Sequence, residues 1–168
     1  LISAVQNAGG FLGALLTLWI ADRVSHPKAA LAAFLLLAAA LFAVGIAPGY
    51  LLLLIAFAAT GLFIRVLDVM LNAHTGELAG DRSGRRLSML HLFFSVGAFA
   101  GPLVARGIMS TSAGWADVYR IIGVGYLIAA IAASRWLRHH ITMERPVQGA
   151  QGSGKGGKPA PWSIAAFL

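Results

Sequence analysis

Residues 61–102 run from Gly61-Leu62-Phe63-Ile64-Arg65-Val66-Leu67-Asp68 through Asn72 to His91 and Gly101-Pro102. They form two apolar segments joined by the charged hinge Gly80-Asp81-Arg82-Ser83-Gly84-Arg85-Arg86. Arg65, Asp68 and Asn72 lie inside the first segment, and His91 lies inside the second. Ionisable side chains within a membrane span are costly and by default mark a functional site. Whether these segments span a membrane is decided by the rest of the chain.

The 168 residues are 58% hydrophobic and 11% charged, with a mean hydropathy of +0.78. Soluble domains run at about 45–50% apolar and about 25% charged, so this is the composition of a membrane protein. At about 20 apolar residues per crossing, the chain is expected to be an all-α integral membrane protein with about five complete transmembrane helices. The net charge of +7 does not point to nucleic acid. The bases fall in the gaps between apolar segments, as membrane topology requires, and not on an aromatic-interleaved or helical reading face. There is no cysteine, which excludes disulfides, a thiolate nucleophile and cysteine metal sites. No His-Glu-x-x-His spacing occurs either, so neither a metal nor a cofactor is expected. An integral-membrane enzyme would need a nucleophile and base, or metal ligands, at one depth. The chain offers only Arg, Asp and Asn with one His, so it is not read as an enzyme.

The expected spans are residues 1–21, 29–47, 50–79, 86–109 and 118–138. Gly9, Gly10 and Gly13 give the first a surface suited to close helix approach. Asp22-Arg23-Val24-Ser25-His26-Pro27-Lys28 and Ala47-Pro48-Gly49 punctuate the next two. Residues 139–160 change character to a basic, Gly-rich linker, and 161–168 read as the start of another apolar segment. The chain opens on Leu1 with no basic stretch before its first apolar run, which is not a signal peptide. It reads as a fragment of a longer membrane protein.

Ten of the thirteen Lys and Arg residues lie on one side by parity. They are Arg23, Lys28, Arg82, Arg85, Arg86, Arg135, Arg138, Arg145, Lys155 and Lys158. The positive-inside rule makes that side cytoplasmic, with Leu1 outside and the linker inside. A multi-pass protein of the cell membrane, a bacterial inner membrane, is expected.

With about 100° per residue, Gly61, Arg65, Asp68 and Asn72 fall within about 60° of one another. Ser88, His91, Ser95, Pro102 and Arg106 form a second stripe, on the fourth span. Two polar stripes on adjacent helices predict a shared water-filled cavity. Arg65 and Asp68 can be read as an i, i+3 ion pair that keeps both charges from lipid. Alternatively, Asp68 takes and releases a proton as the cavity dries and as Arg65 approaches, or Arg65 holds a solute with its planar fork. Asn72 suits either a helix–helix hydrogen bond or a solute. His91 suits either a plain polar contact or a functional one. His26, His74, His139 and His140 are read as solvated. Gly97-Ala98-Phe99-Ala100-Gly101-Pro102 suggests close packing with a kink that could bend during transport.

Asp81-Arg82-Ser83-Gly84-Arg85-Arg86 resembles the Asp-Arg-x-Gly-Arg-Arg signature loop of the major facilitator superfamily. Asp22-Arg23 occupies the place of that family's stronger copy, without its Gly-Arg-Arg. Leu67-Asp68-Val69-Met70-Leu71-Asn72, Arg86-Leu87-Ser88-Met89-Leu90-His91-Leu92-Phe93-Phe94-Ser95 and Gly101-Pro102 further resemble helices four and five of its fucose-permease-like sugar:proton symporter branch. The resemblance implies a helical bundle in which residues 1–138 are helices two to six of the N-terminal half. It makes 139–160 the inter-half linker and 161–168 the start of helix seven. It further implies a proton-coupling role for Asp68, followed by an asparagine at Asn72, and a cavity-lining role for His91; from the residues themselves, Arg65 is expected to tune Asp68, and Asn72, His91 and Ser95 to contact a small polar solute. The sugar-binding asparagine of helix five in that branch aligns with Phe94 here, and Arg65 is not part of its pattern. The implied partners are a proton, a small-molecule substrate, the lipid bilayer and the C-terminal half of the same transporter. Gly97-x-x-x-Gly101-Pro102 is also similar to an antiporter signature, which leaves proton-driven efflux as the competing expectation. A non-transporting remnant is the third.

Overall fold

The structure is a computed structural model and describes residues 1–79 and 83–143. These form five helices: α1 (Ile2–Ile20), α2 (His26–Ile46), α3 (Tyr50–Ala79), α4 (Ser83–Met109) and α5 (Trp115–Met143). There is no strand among the described residues. Each helix contains a stretch long and apolar enough to cross a membrane, as the composition requires. Helices satisfy every backbone polar group within one segment, which lipid demands. Asp81, Arg82 and residues 144–168 lie outside the described residues.

The helix ends follow local chemistry. α2 begins three residues before the apolar run because Pro27 fits its first turn, where no backbone N–H is needed. Ser25 precedes it in extended conformation. α5 begins at Trp115 because Asp117 Oδ2 accepts a hydrogen bond from the Gly114 N–H at 3.0 Å. That bond satisfies a donor the first turn would otherwise orphan. At its far end the α5 backbone continues to Met143, beyond the change of composition at 139.

The centre of the bundle is α3, which packs along α1 and α2, while α2 also packs along α5. The α1–α3 contact is backbone on backbone. A Cβ added at Gly9 would collide with the Ala58 carbonyl, at Gly13 with that of Leu62, and at Gly61 with that of Gln6. Lipid tails are as apolar as leucine, so close approach through small residues, not apolar burial alone, joins such helices. Gly10 is looser, with the Gly61 carbonyl 3.5 Å from its would-be Cβ. Thr17 and Thr60 are buried at this seam and spend their hydroxyls on the Gly13 and Ala56 carbonyls of their own helices, at 2.7 and 2.9 Å. Neither leaves a polar group unpaired.

Two apolar clusters fill the bundle at different depths. Leu37, Leu41, Val66, Leu67 and Met70 form the larger with Ala29, Ala30 and Ala33. Val44, Ala56 and Phe57 form the smaller. The fourth helix stands apart: it touches α3 and α5 only lightly. None of its apolar stretch is buried, against half of that of α2. Gly97 and Gly101 have nothing within 4 Å of a would-be Cβ. The close packing expected of that step is therefore not made among the described residues, and α4 runs unbroken through Pro102.

Candidate functional site

Asp68 lies midway along the polar face of α3, and each of its carboxylate oxygens meets a different donor. Arg65 Nη1 donates to Oδ2 at 3.3 Å, and Asn72 Nδ2 donates to Oδ1 at 3.1 Å. Asn72 Nδ2 also donates to the Asp68 backbone carbonyl at 2.9 Å. All of these partners come from one helix because positions three and four apart share a face. The Arg65 and Asp68 side chains remain 53% and 45% exposed. Their contact is longer than the 2.7–2.9 Å common for charge-assisted bonds. The ion pair read from the sequence therefore exists, but it is loose and open to an adjoining space.

That space is a cavity of about 450 Å³. It is lined by Arg65, Asp68 and Asn72 of α3, His91 of α4, Phe34 of α2 and Tyr126 of α5, together with Ile64, Leu67, Leu71, Leu90, Phe93 and Phe94. Of the second stripe, His91 lines the cavity with the α3 face, while Ser88, Pro102 and Arg106 do not. Phe94, which replaces a polar group in the branch resemblance, is one wall of the cavity.

The geometry places several of these residues differently from the simple stripe. Gly61 leaves the polar stripe, because it is buried against Gln6 and Gly10 of α1. Ser95 does not line the cavity; its hydroxyl donates to the His91 carbonyl of its own helix at 2.9 Å. His26 and His74 are not simply solvated. His26 Nδ1 lies 2.9 Å from Glu77 Oε2, tying the start of α2 to the end of α3, and His74 Nε2 is buried without a partner among the described residues.

Those two histidines border a second, polar pocket with Asp22, Arg23 and Glu77. Asp22 and Arg23, expected as signature-loop residues, therefore lie together at one end of the bundle. Arg23 also rests its guanidinium 3.9 Å above the Trp19 ring, a cation–π contact. Of the other signature residues, Asp81 and Arg82 fall outside the described residues, while Gly84, Arg85 and Arg86 are exposed in the first turns of α4.

Phe34 and Tyr126 are lining residues from helices to which the sequence assigned no site residue. Their rings are 6.0 Å apart at 43°. Tyr126 carries a detectable signal, its hydroxyl within the apolar middle of α5. Phe34 carries none, since α2 is almost uniformly Ala, Leu and Phe.

Among the described residues no group of three or more His, Cys, Asp or Glu is placed to hold a metal. A loosely paired carboxylate beside an arginine, an imidazole and an aromatic wall can bind a small organic solute and exchange a proton. The family model described as Major Facilitator Superfamily matches residues 1–168. No curated protein and no solved structure is similar enough to match.

Proposed function

We propose, from the premise that this chain belongs to the Major Facilitator Superfamily, a family of transporters, that it takes part in proton-coupled transport of a small polar solute. A sugar is the first class to test, with alternating access between two halves as the mechanism. The observation that carries this reading is the cavity in which Asp68, Arg65 and His91 converge from two helices.

Asp68 is the proton carrier in this reading, and Arg65 neutralises it when the proton is absent. His91 contacts the solute, and the second half of the transporter supplies the opposite wall. The basic ends of the helices, with Asp22 and Arg23 after α1 and Gly84, Arg85 and Arg86 at the start of α4, face the cytoplasm of a bacterial inner membrane. The membership of α3 and α4 in a fucose-permease-like branch belongs to the same proposal. It is supported by the spacing of Asp68, Asn72 and His91.

The lining favours a second reading as well. Phe34, Phe93, Phe94 and Tyr126 give much of the wall to aromatic rings, which suits an amphiphilic compound expelled by proton antiport. One experiment separates the two. The full-length protein is placed in liposomes with an imposed pH gradient, and sugars and aromatic amphiphiles are screened for uptake and extrusion. Asp68→Asn is run beside the wild type. Gradient-driven movement that survives Asp68→Asn removes Asp68 from the coupling. The direction of flux decides between symport and antiport.

A further inference from the structure

We propose that Asn72 is a positioning residue for Asp68: its amide aims the carboxylate from within α3 and does not itself meet the solute. This rests on the proton-carrying reading of Asp68.

The amide turns its donor to Asp68 and keeps its acceptor out of the open space. Its nitrogen is committed to Asp68, with the backbone carbonyl at 2.9 Å and Oδ1 at 3.1 Å. Its oxygen, Oδ1, is buried and has no hydrogen-bond partner among the described residues. With Asp68 ionised, the opposite amide orientation would set Asn72 Oδ1 against the Asp68 backbone carbonyl and carboxylate oxygens with no proton between them. Nitrogen inward is therefore the arrangement compatible with an ionised Asp68.

Arg65 Nη1 holds the other carboxylate oxygen at 3.3 Å. Both donors thus belong to α3, one turn before and one turn after Asp68. The remaining polar groups lining the cavity are His91 of α4 and Tyr126 of α5, while α1 and α2 bring no ionisable side chain to it. Rocking α3 as a rigid body leaves its own Asp68 donors in place, so the aim of the carboxylate is preserved while its surroundings change. Asn72 supplies the donor that fixes which oxygen faces inward and which is left to Arg65 and the cavity.

The test needs no solute. Infrared difference spectra of the full-length protein in lipid are recorded across a pH step, and Asp68→Asn identifies the Asp68 carboxylate bands by their loss. Asn72→Leu, which fills similar space and donates nothing, is expected to shift those bands. Asn72→Gln, whose amide can still reach a carboxylate one turn away, is expected to move them back toward the wild-type position. Asn72→Ala provides the same readout should Asn72→Leu fail to fold, with helix content by circular dichroism as the check. Asp68 bands that stay in place in a folded donor-less variant overturn the proposal while leaving Asp68 as proton carrier. The absence of any Asp68 band in the wild type overturns the proton reading and this proposal together.

Discussion

Gly9 of α1 lies directly on the backbone carbonyl of Ala58 in α3, with no room for even one methyl group between the two helices. Gly13 against Leu62 and Gly61 against Gln6 repeat that contact along the same seam. The polar face bearing Arg65, Asp68 and Asn72 begins one turn beyond it, so the seam fixes how α3 is rotated and which residues reach the cavity.

Gly9→Ala is accordingly expected to destabilise the protein by about 1–3 kcal/mol, the usual cost of overpacking. Gly97→Ala has open space around its new methyl and gains helix propensity, so it should change stability by less than about 1 kcal/mol. Thermal unfolding of the two variants in detergent, followed by tryptophan fluorescence, checks the contrast. Equal losses would mean that the α1–α3 seam carries no special constraint.

Ser95 and His91 should separate in transport assays. The Ser95 hydroxyl is spent on the His91 carbonyl, so Ser95→Ala should leave the initial uptake rate within about twofold of wild type, well below the 1.4 kcal/mol of a tenfold change. His91→Ala removes a cavity-lining imidazole and should cost about tenfold or more. A strong Ser95→Ala defect with a mild His91→Ala one would invert the assignment.

Tyr126→Phe removes the one hydroxyl that α5 offers to the cavity and keeps the ring beside Phe34. A lost hydrogen bond to solute corresponds to about 0.5–1.5 kcal/mol, to be read as weaker apparent affinity. Thermal stability should not change. Tyr126→Ala should lower both, because it also removes the ring contact. Unaltered affinity in Tyr126→Phe would show that the ring alone is used.

His26 and Glu77 join the start of α2 to α3 at 2.9 Å, but the Glu77 side chain is 58% exposed. Solvent screening limits such pairs to about 0–1 kcal/mol. Glu77→Gln is therefore expected to lower thermal stability only slightly. A loss of several kcal/mol would reveal a buried network at that end which an exposed pair cannot provide.

The sequence by itself determined that this is a membrane bundle of long helices, and nearly where each begins and ends. Span length and backbone satisfaction in lipid leave little choice once apolar runs are interrupted by Asp22–Lys28, Pro48-Gly49 and Ser110–Gly114. It also placed Arg65, Asp68 and Asn72 on one face, because helical periodicity is a local property. Only the tertiary structure decided what each face meets. Gly61 obeys the same periodicity as Arg65, yet backbone contact with α1 takes it out of the site. Phe34 and Tyr126 enter the cavity from helices with no polar stripe, since their position depends on how α2 and α5 cross. Ser95 has the right phase but turns its hydroxyl onto its own helix, a choice between local and distant partners that spacing cannot express. The sequence leaves Asn72 open to a hydrogen bond with another helix or to a solute, and its observed bonds stay within α3. The bonds of its amide, which depend on the rotamers of Asp68 and Asn72 together, direct it to Asp68.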